Sequence, residues 1–150
     1  MAANIDPIFT GTPKISAADI PTAYTNVKSD GVVVIGTDGV LLFSAGANGS
    51  FLQKIRFASV ASAANVTGQA TTLRIFYSTV NTGTTTNANT FLLAEISVPA
   101  IASSHSLNAV PYYDVPLNLA MPANTYILVT QHSAQTTNQN WQAVAIGGDY

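Results

Sequence analysis

The two histidines, His105 and His132, are the side chains of this sequence that titrate near neutral pH. Zinc or iron requires three or four converging ligands. Neither histidine lies at a helical or other ligand-like spacing from a carboxylate, and cysteine is absent. We therefore predict no metal site and no cofactor, and we assign both histidines to structural or surface positions.

Nucleophilic catalysis would require a triad such as Ser104, His132 and Asp114, because triads are defined by geometry and not by chain order. The sequence contains no G-x-S-x-G nucleophile elbow. Its seven acidic residues are scattered singly, whereas carboxylate catalysis requires two neighbouring acids. These observations predict that the protein is not an enzyme.

Three basic residues, Lys54, Arg56 and Arg74, lie on the polar faces of predicted neighbouring strands, with Glu95 on the next strand. This placement allows a cross-strand ionic cluster. One alternative is a solvated sheet face that contributes little to stability. Because charge is rare in this chain, the cluster is a candidate contact for an acidic partner surface or a second subunit.

Three aromatic residues close to loops, Tyr112, Tyr113 and Trp141, form a candidate glycan-stacking platform. The alternative is that they pack in the core or at its rim. The clustered acidic residues of a calcium-dependent lectin are not found.

Charged residues make up only 8% of the chain, compared with about 25% in ordinary soluble domains. Five lysines and arginines and a net charge of −2 argue against a nucleic-acid partner. The first residues lack a signal peptide's basic and apolar regions, and no apolar run is long enough to span a membrane. We expect synthesis in a cytoplasm, no membrane partner, and an assembly that covers much of the neutral surface.

The elements that position these residues are short β-rich runs separated by turns, a spacing typical of an antiparallel sandwich or barrel. Asp38-Gly39 and Asn48-Gly49 are strong turn dipeptides. Several runs alternate between apolar and polar residues, which predicts one buried face per strand. The predicted strands cover residues 23–28, 32–35, 39–44, 51–60, 71–80, 90–98, 113–119, 125–132 and 141–146.

Residues 1–23 contain three of the seven prolines and little periodicity. Proline fixes φ and biases the preceding residue toward extended backbone. We therefore predict an extended N-terminal arm over residues 1–23 and a β-domain over residues 24–150.

Six segments together resemble small structural proteins of tailed bacteriophages, including head decoration, or cement, proteins. The order of the segments along nearly the whole chain is more specific than any one of them. They are MAANIDPIFTGTPKIS at 1–16, FSAGANGSFLQKIRF at 43–57, TLRIFYSTVNTG at 72–83, FLLAEISVPA at 91–100, DVPLNLAMPANTYILV at 114–129 and VAIGGDY at 144–150.

This resemblance implies a jelly-roll-like sandwich of about eight strands that binds the major capsid protein on the capsid surface of a virion made in the bacterial cytoplasm. It also implies a homo-oligomer, with a trimer favoured over a dimer. The predicted partner contacts are in the arm, on the basic face and at the C-terminus: Ile5, Pro7, Ile8, Phe9, Lys54, Arg56, Arg74 and Tyr150. The alternative is a head-fibre or tail adhesin whose Tyr112, Tyr113 and Trp141 contact a host glycan.

Overall fold

The computed structural model describes residues 11–63, 66–101 and 111–150, and the elements within these ranges are β-strands. The predicted contacts Ile5, Pro7, Ile8 and Phe9 lie outside the described residues, as do Ser104 and His105. The strands are β1 (Thr12–Ile20), β2 (Gly39–Ser44), β3 (Ser50–Ala61), β4 (Thr71–Ser78), β5 (Thr90–Val98), β6 (Tyr112–Met121), β7 (Tyr126–Gln131) and β8 (Gln139–Asp149).

The strands form two antiparallel four-stranded sheets, with orders β1-β8-β3-β6 and β2-β7-β4-β5. Strand β1 pairs with β8, β2 with β7, β3 with β6 and β4 with β5. This nested pairing is that of a long hairpin folded over on itself, which is the jelly-roll arrangement of a β-sandwich. The predicted all-β sandwich of about eight strands is confirmed.

Alternation along the strands places one set of apolar side chains between the two sheets. Ile55 and Phe57 of the first sheet and Leu73 and Ile75 of the second are completely buried there, as their spacing predicted. A register shift between Leu52 and Lys54 moves Leu52 onto this core face. Strict alternation along β3 would place Phe51 on the same face as Ile55, but because of the shift Phe51 is only half-buried.

Gly147 allows β8 to lie close to β3 beside the register shift between Leu52 and Lys54. A Cβ atom at Gly147 would lie 2.2 Å from the carbonyl oxygen of Phe51, so only glycine permits the observed approach of β8 to β3. The turn predicted at Asn48-Gly49 links β2 to β3, and Gly49 has the positive φ of 92° that favours glycine.

The structure differs from the predicted arm at residue 12, because Thr12–Ile20 forms β1 and pairs with β8 over nine residues. Pro13 lies near the start of this edge strand, where a missing N–H is tolerated. The core-facing side chains of β1 include Lys14 and Ser16, which hide the strand's apolar alternation in the sequence.

The predicted strands at 23–28 and 32–35 are wrong, since these residues belong to an irregular covering segment, residues 21–38. Val33 of this covering segment packs with Phe76 and Leu128 in a second apolar cluster on the outer face of sheet β2-β7-β4-β5. The Asn26 N–H donates to the Gln131 carbonyl at 2.8 Å, in place of a strand partner. The chain thus covers one outer sheet face with its own residues.

Lys14 ties the two sheets together at one end of the sandwich. Its ammonium group forms an ion pair with Asp149 at 3.1 Å and donates to the Ser44 carbonyl at 2.6 Å. The hydrogen bond from Ser50 and the nearby Lys14 lower the pKa of Asp149. This part-buried cluster connects β1, β2, β3 and β8.

Replacing Ile75 with Asp should unfold the domain, because it places a carboxylate in the apolar core. We expect a loss of about 4 kcal/mol or more. The matched control is Ile15→Asp, since Ile15 is 71% exposed on β1. Thermal unfolding followed by circular dichroism should show a cooperative transition for Ile15→Asp and none for Ile75→Asp. A near-normal melting temperature for Ile75→Asp would contradict the described core.

Candidate partner interface

The outer face of sheet β1-β8-β3-β6 is hereafter the open face, and its middle consists of three rows of four paired residues. Within the described part of the chain, no segment covers it in the way residues 21–38 cover the other sheet. The rows, each running from β1 through β8 and β3 to β6, are Ile15, Ile146, Lys54 and Pro116; Ala17, Val144, Arg56 and Asp114; and Asp19, Gln142, Ala58 and Tyr112.

The half of the open face formed by β1 and β8 is mainly apolar. Ile15 is one of the most exposed large hydrophobic side chains, and Val144 and Ile146 beside it are only half-buried. Together with Ala17 they form a patch of small and aliphatic side chains. An apolar patch of neighbouring side chains on a sheet face is a candidate interaction site.

The half formed by β3 and β6 carries an ordered charged cluster. Arg56 contacts the Asp114 carboxylate through two hydrogen bonds, at 2.7 Å and 2.8 Å, and Lys54 reaches the same carboxylate at 3.1 Å. The Arg56 guanidinium also stacks on the Tyr112 ring, 4.4 Å from its centroid. Two contacts therefore fix the Arg56 head group, which reduces the entropy lost when a partner binds it.

These contacts stabilise the charged forms of the cluster. The hydrogen bond from Arg56, supported by Lys54, holds the pKa of Asp114 well below its usual range. The same hydrogen bond raises the pKa of Arg56. With Asp19, the open face carries two positive and two negative side chains, so it presents no net charge to a partner.

The prediction that Arg74 joins Lys54 and Arg56 on one surface is wrong. Strands β3 and β4 belong to different sheets, so their polar faces point in opposite directions. Arg74 lies beneath the covering segment and is 7% exposed. It donates to Glu95 at 2.5 Å and to the Asn26 carbonyl at 2.6 Å, and its second terminal nitrogen lies 3.3 Å from Nδ1 of His132.

The three aromatic residues proposed as a glycan platform do not share a surface. Trp141 is completely buried in the core, and its ring packs at 6.0 Å from that of Tyr113. Strand alternation turns Tyr113 inward and Tyr112 outward on β6, so of the three only Tyr112, at 61%, is an exposed side chain. Trp141 is therefore not available for stacking on a ligand.

Tyr150 is half-buried beside the turn between β2 and β3, where its N–H donates to the Gly49 carbonyl at 3.2 Å. It lies outside the three rows of the open face.

The described residues contain no group of three histidine or acidic side chains placed to hold a metal ion, and no helix long and apolar enough to cross a membrane.

The sequence predicted Lys54 and Arg56 as partner contacts and Tyr112 as a glycan contact, but it did not reveal the apolar half of the open face. Ile15 was assigned to the arm, and Val144 and Ile146 were not recognised as outward-facing. The alternation Trp141, Ala143 and Ala145 against Gln142, Val144 and Ile146 is the signal that could have found them. Small alanines on the core side obscured which face is buried.

Comparison with known protein families and with curated proteins found no match. Among solved structures, the chain is similar to a chain of the T13 viral particle of infectious bursal disease virus, with 14% identity and a TM-score of 0.34. It is also similar to the VP2 subviral particle of that virus, with 16% identity and a TM-score of 0.33. Each match covers 99% of this chain, which spans 35% and 37% of the viral chains.

The two arginines should respond differently to replacement by methionine. Arg74→Met leaves the Asn26 carbonyl without its donor under the covering segment, so we expect a loss of about 3 kcal/mol. For a chain of this size, that corresponds to a melting temperature lower by roughly 6–12 °C. Arg56→Met removes a surface contact, and the melting temperature should stay within about 2 °C of wild type. Equal shifts measured by calorimetry would contradict these assignments.

Proposed function

We propose that this chain is a non-enzymatic structural protein of a bacteriophage virion. In this role it is a decoration, or cement, protein that binds the major capsid protein from outside. The observation that carries the proposal is the open face of sheet β1-β8-β3-β6. The resemblance of six ordered sequence segments to small structural proteins of tailed bacteriophages, which include decoration proteins, favours the same role.

The fold is compatible with this role but does not select it. Jelly rolls form viral capsid domains, lectins and cupins, so function must be argued from the site. Sugar binding usually relies on an aromatic side chain on which the sugar ring stacks. The open face is apolar on one half and neutral in net charge, and the shallow depressions on and beside it, next to Ala17 and Asn140, have no aromatic residue in their lining among the described residues. A wide neutral surface with an exposed apolar half suits contact with another protein better than capture of a small ligand.

The two halves of the open face would contribute to binding in different ways. Ile15, Val144 and Ile146 would lose water-exposed apolar area on contact, which supplies non-directional affinity. Arg56 and Tyr112 are residue types enriched among those that dominate binding energy, and both are held in place before contact. A complementary capsid surface would present an apolar patch beside carbonyl or carboxylate acceptors.

A low surface charge also suits a lattice in which many copies lie close together. Unpaired like charges on neighbouring copies would repel, whereas threonine, serine and asparagine can hydrogen-bond to one another. The proposed location is the capsid surface, after synthesis in the cytoplasm of the bacterial host.

The test is to add purified protein back to phage particles assembled without it. Ile15→Glu should weaken binding at least about 10-fold, because it charges the apolar half of the open face. The matched control is Val27→Glu, since Val27 is 67% exposed on the covering segment, on the opposite sheet. Occupancy is measured by sedimenting the particles and quantifying bound protein.

Val27→Glu should bind as wild type does. Equal binding of both variants would contradict the assignment of the open face. Failure of the wild-type protein to bind capsids, together with binding to tails or host cells, would contradict the decoration role and favour the adhesin.

A further inference from the structure

Strand β5 carries three consecutive exposed large hydrophobic residues at an edge of sheet β2-β7-β4-β5. Phe91 is 50% exposed, and Leu92 and Leu93 are each 38% exposed. The pairing of β5 with β4 passes from Ala94 directly to Leu92, so Leu93 is a bulged residue without a partner on β4. Runs of exposed apolar residues like this one occur where a protein makes contact with another surface.

The edges of the two sheets differ in how they are protected against pairing with another chain. Strand β6 carries Pro116 near its middle and a left-handed residue, Asn118, with φ of 48°. Strand β1 has Pro13 as its second residue and packs beside the short, irregular β2 of the other sheet. Proline, irregular backbone and coverage are the usual devices that block edge pairing.

Strand β5 lacks most of these devices. It contains no proline over nine residues, and a strand of that length extends about 30 Å. Its outer edge has no strand partner among the described residues. Glu95 is its one charged residue, and Arg74 neutralises that carboxylate at 2.5 Å. The bulge at Leu93, where the pairing with β4 skips a residue, is the one such device that β5 has.

We propose that β5 is a self-association surface, in which two copies of this chain pair their β5 strands antiparallel about a two-fold axis. A two-fold axis brings the same patch of each copy together, so the β5 backbone groups and apolar side chains of one copy meet those of the other. Antiparallel pairing satisfies the free edge groups, and the apolar trio of each copy loses contact with water.

A second copy fits this edge because the edge is neutral. Since Glu95 is paired with Arg74, two β5 strands can approach without an unpaired like charge on either side. A partner selected by charge would instead require an unpaired charged residue on the edge. Two-fold pairing gives a dimer, whereas the sequence resemblance favoured a trimer.

The test measures the mass of the full chain in solution by light scattering and sedimentation equilibrium. Wild type should have twice the 15.6 kDa mass of one chain. Leu93→Lys places a charge between the two paired β5 strands and should raise the dissociation constant of the dimer at least about 10-fold. Val27→Lys, an exposed apolar residue on the covering segment, is the matched control and should remain dimeric.

Hydrogen exchange of the wild-type protein locates the contact without relying on a variant. The β5 amides that face away from β4 should gain protection as concentration rises. Leu93→Lys should remove this gain while keeping the wild-type circular dichroism spectrum. A wild-type protein that is monomeric at all concentrations would overturn the proposal, as would a dimer or trimer whose β5 amides gain no protection. Because these experiments need no particle, their outcome is separate from that of the capsid-binding test.

Discussion

Packing of the two sheets against each other determines which surfaces of this protein remain for function. The nested pairing of β1 with β8, β2 with β7, β3 with β6 and β4 with β5 creates two sheets, and each buries one face in the shared core. Completely buried side chains such as Phe57, Ile75 and Trp141 hold these inner faces together. Each sheet then has a second face that must be solvated, covered or bound.

The chain treats these two outer faces differently. Residues 21–38 cover the outside of β2-β7-β4-β5, where Val33 packs on Phe76 and Arg74 anchors Asn26. The open face of the other sheet keeps exposed apolar residues beside an ordered arginine and tyrosine. This asymmetry is the physical basis for our assignment of the open face to a protein partner, since the chain uses its own residues to cover the other.

The sequence predicted most strands because their alternation is strong. The bounds of β2 and β5 were predicted to the residue, since polar or turn residues flank the apolar segment of each strand. Strand β1 was missed because its inward side chains include Lys14, whose burial depends on Asp149 at the far end of the chain. No local pattern encodes a partner 135 residues away.

The candidate site was predicted only in part, because some of its residues are placed by local spacing and others by contacts between distant parts of the chain. Lys54 and Arg56 share a strand face by spacing alone, and Asp114 lies opposite Arg56 through the pairing of β3 with β6. The position of Arg74 depends on which strands share a sheet, and that is a property of the whole topology. Its burial further depends on the covering segment, whose residues 23–28 were predicted as a strand.

A cryo-electron-microscopy map of the virion that contains this chain would show where the chain lies. We expect density for many copies on the capsid lattice, with Ile15, Val144 and Arg56 of the open face against the shell. Density confined to the tail or fibres would contradict the decoration role. Capsid density with the open face turned toward solvent would contradict the assignment of that face.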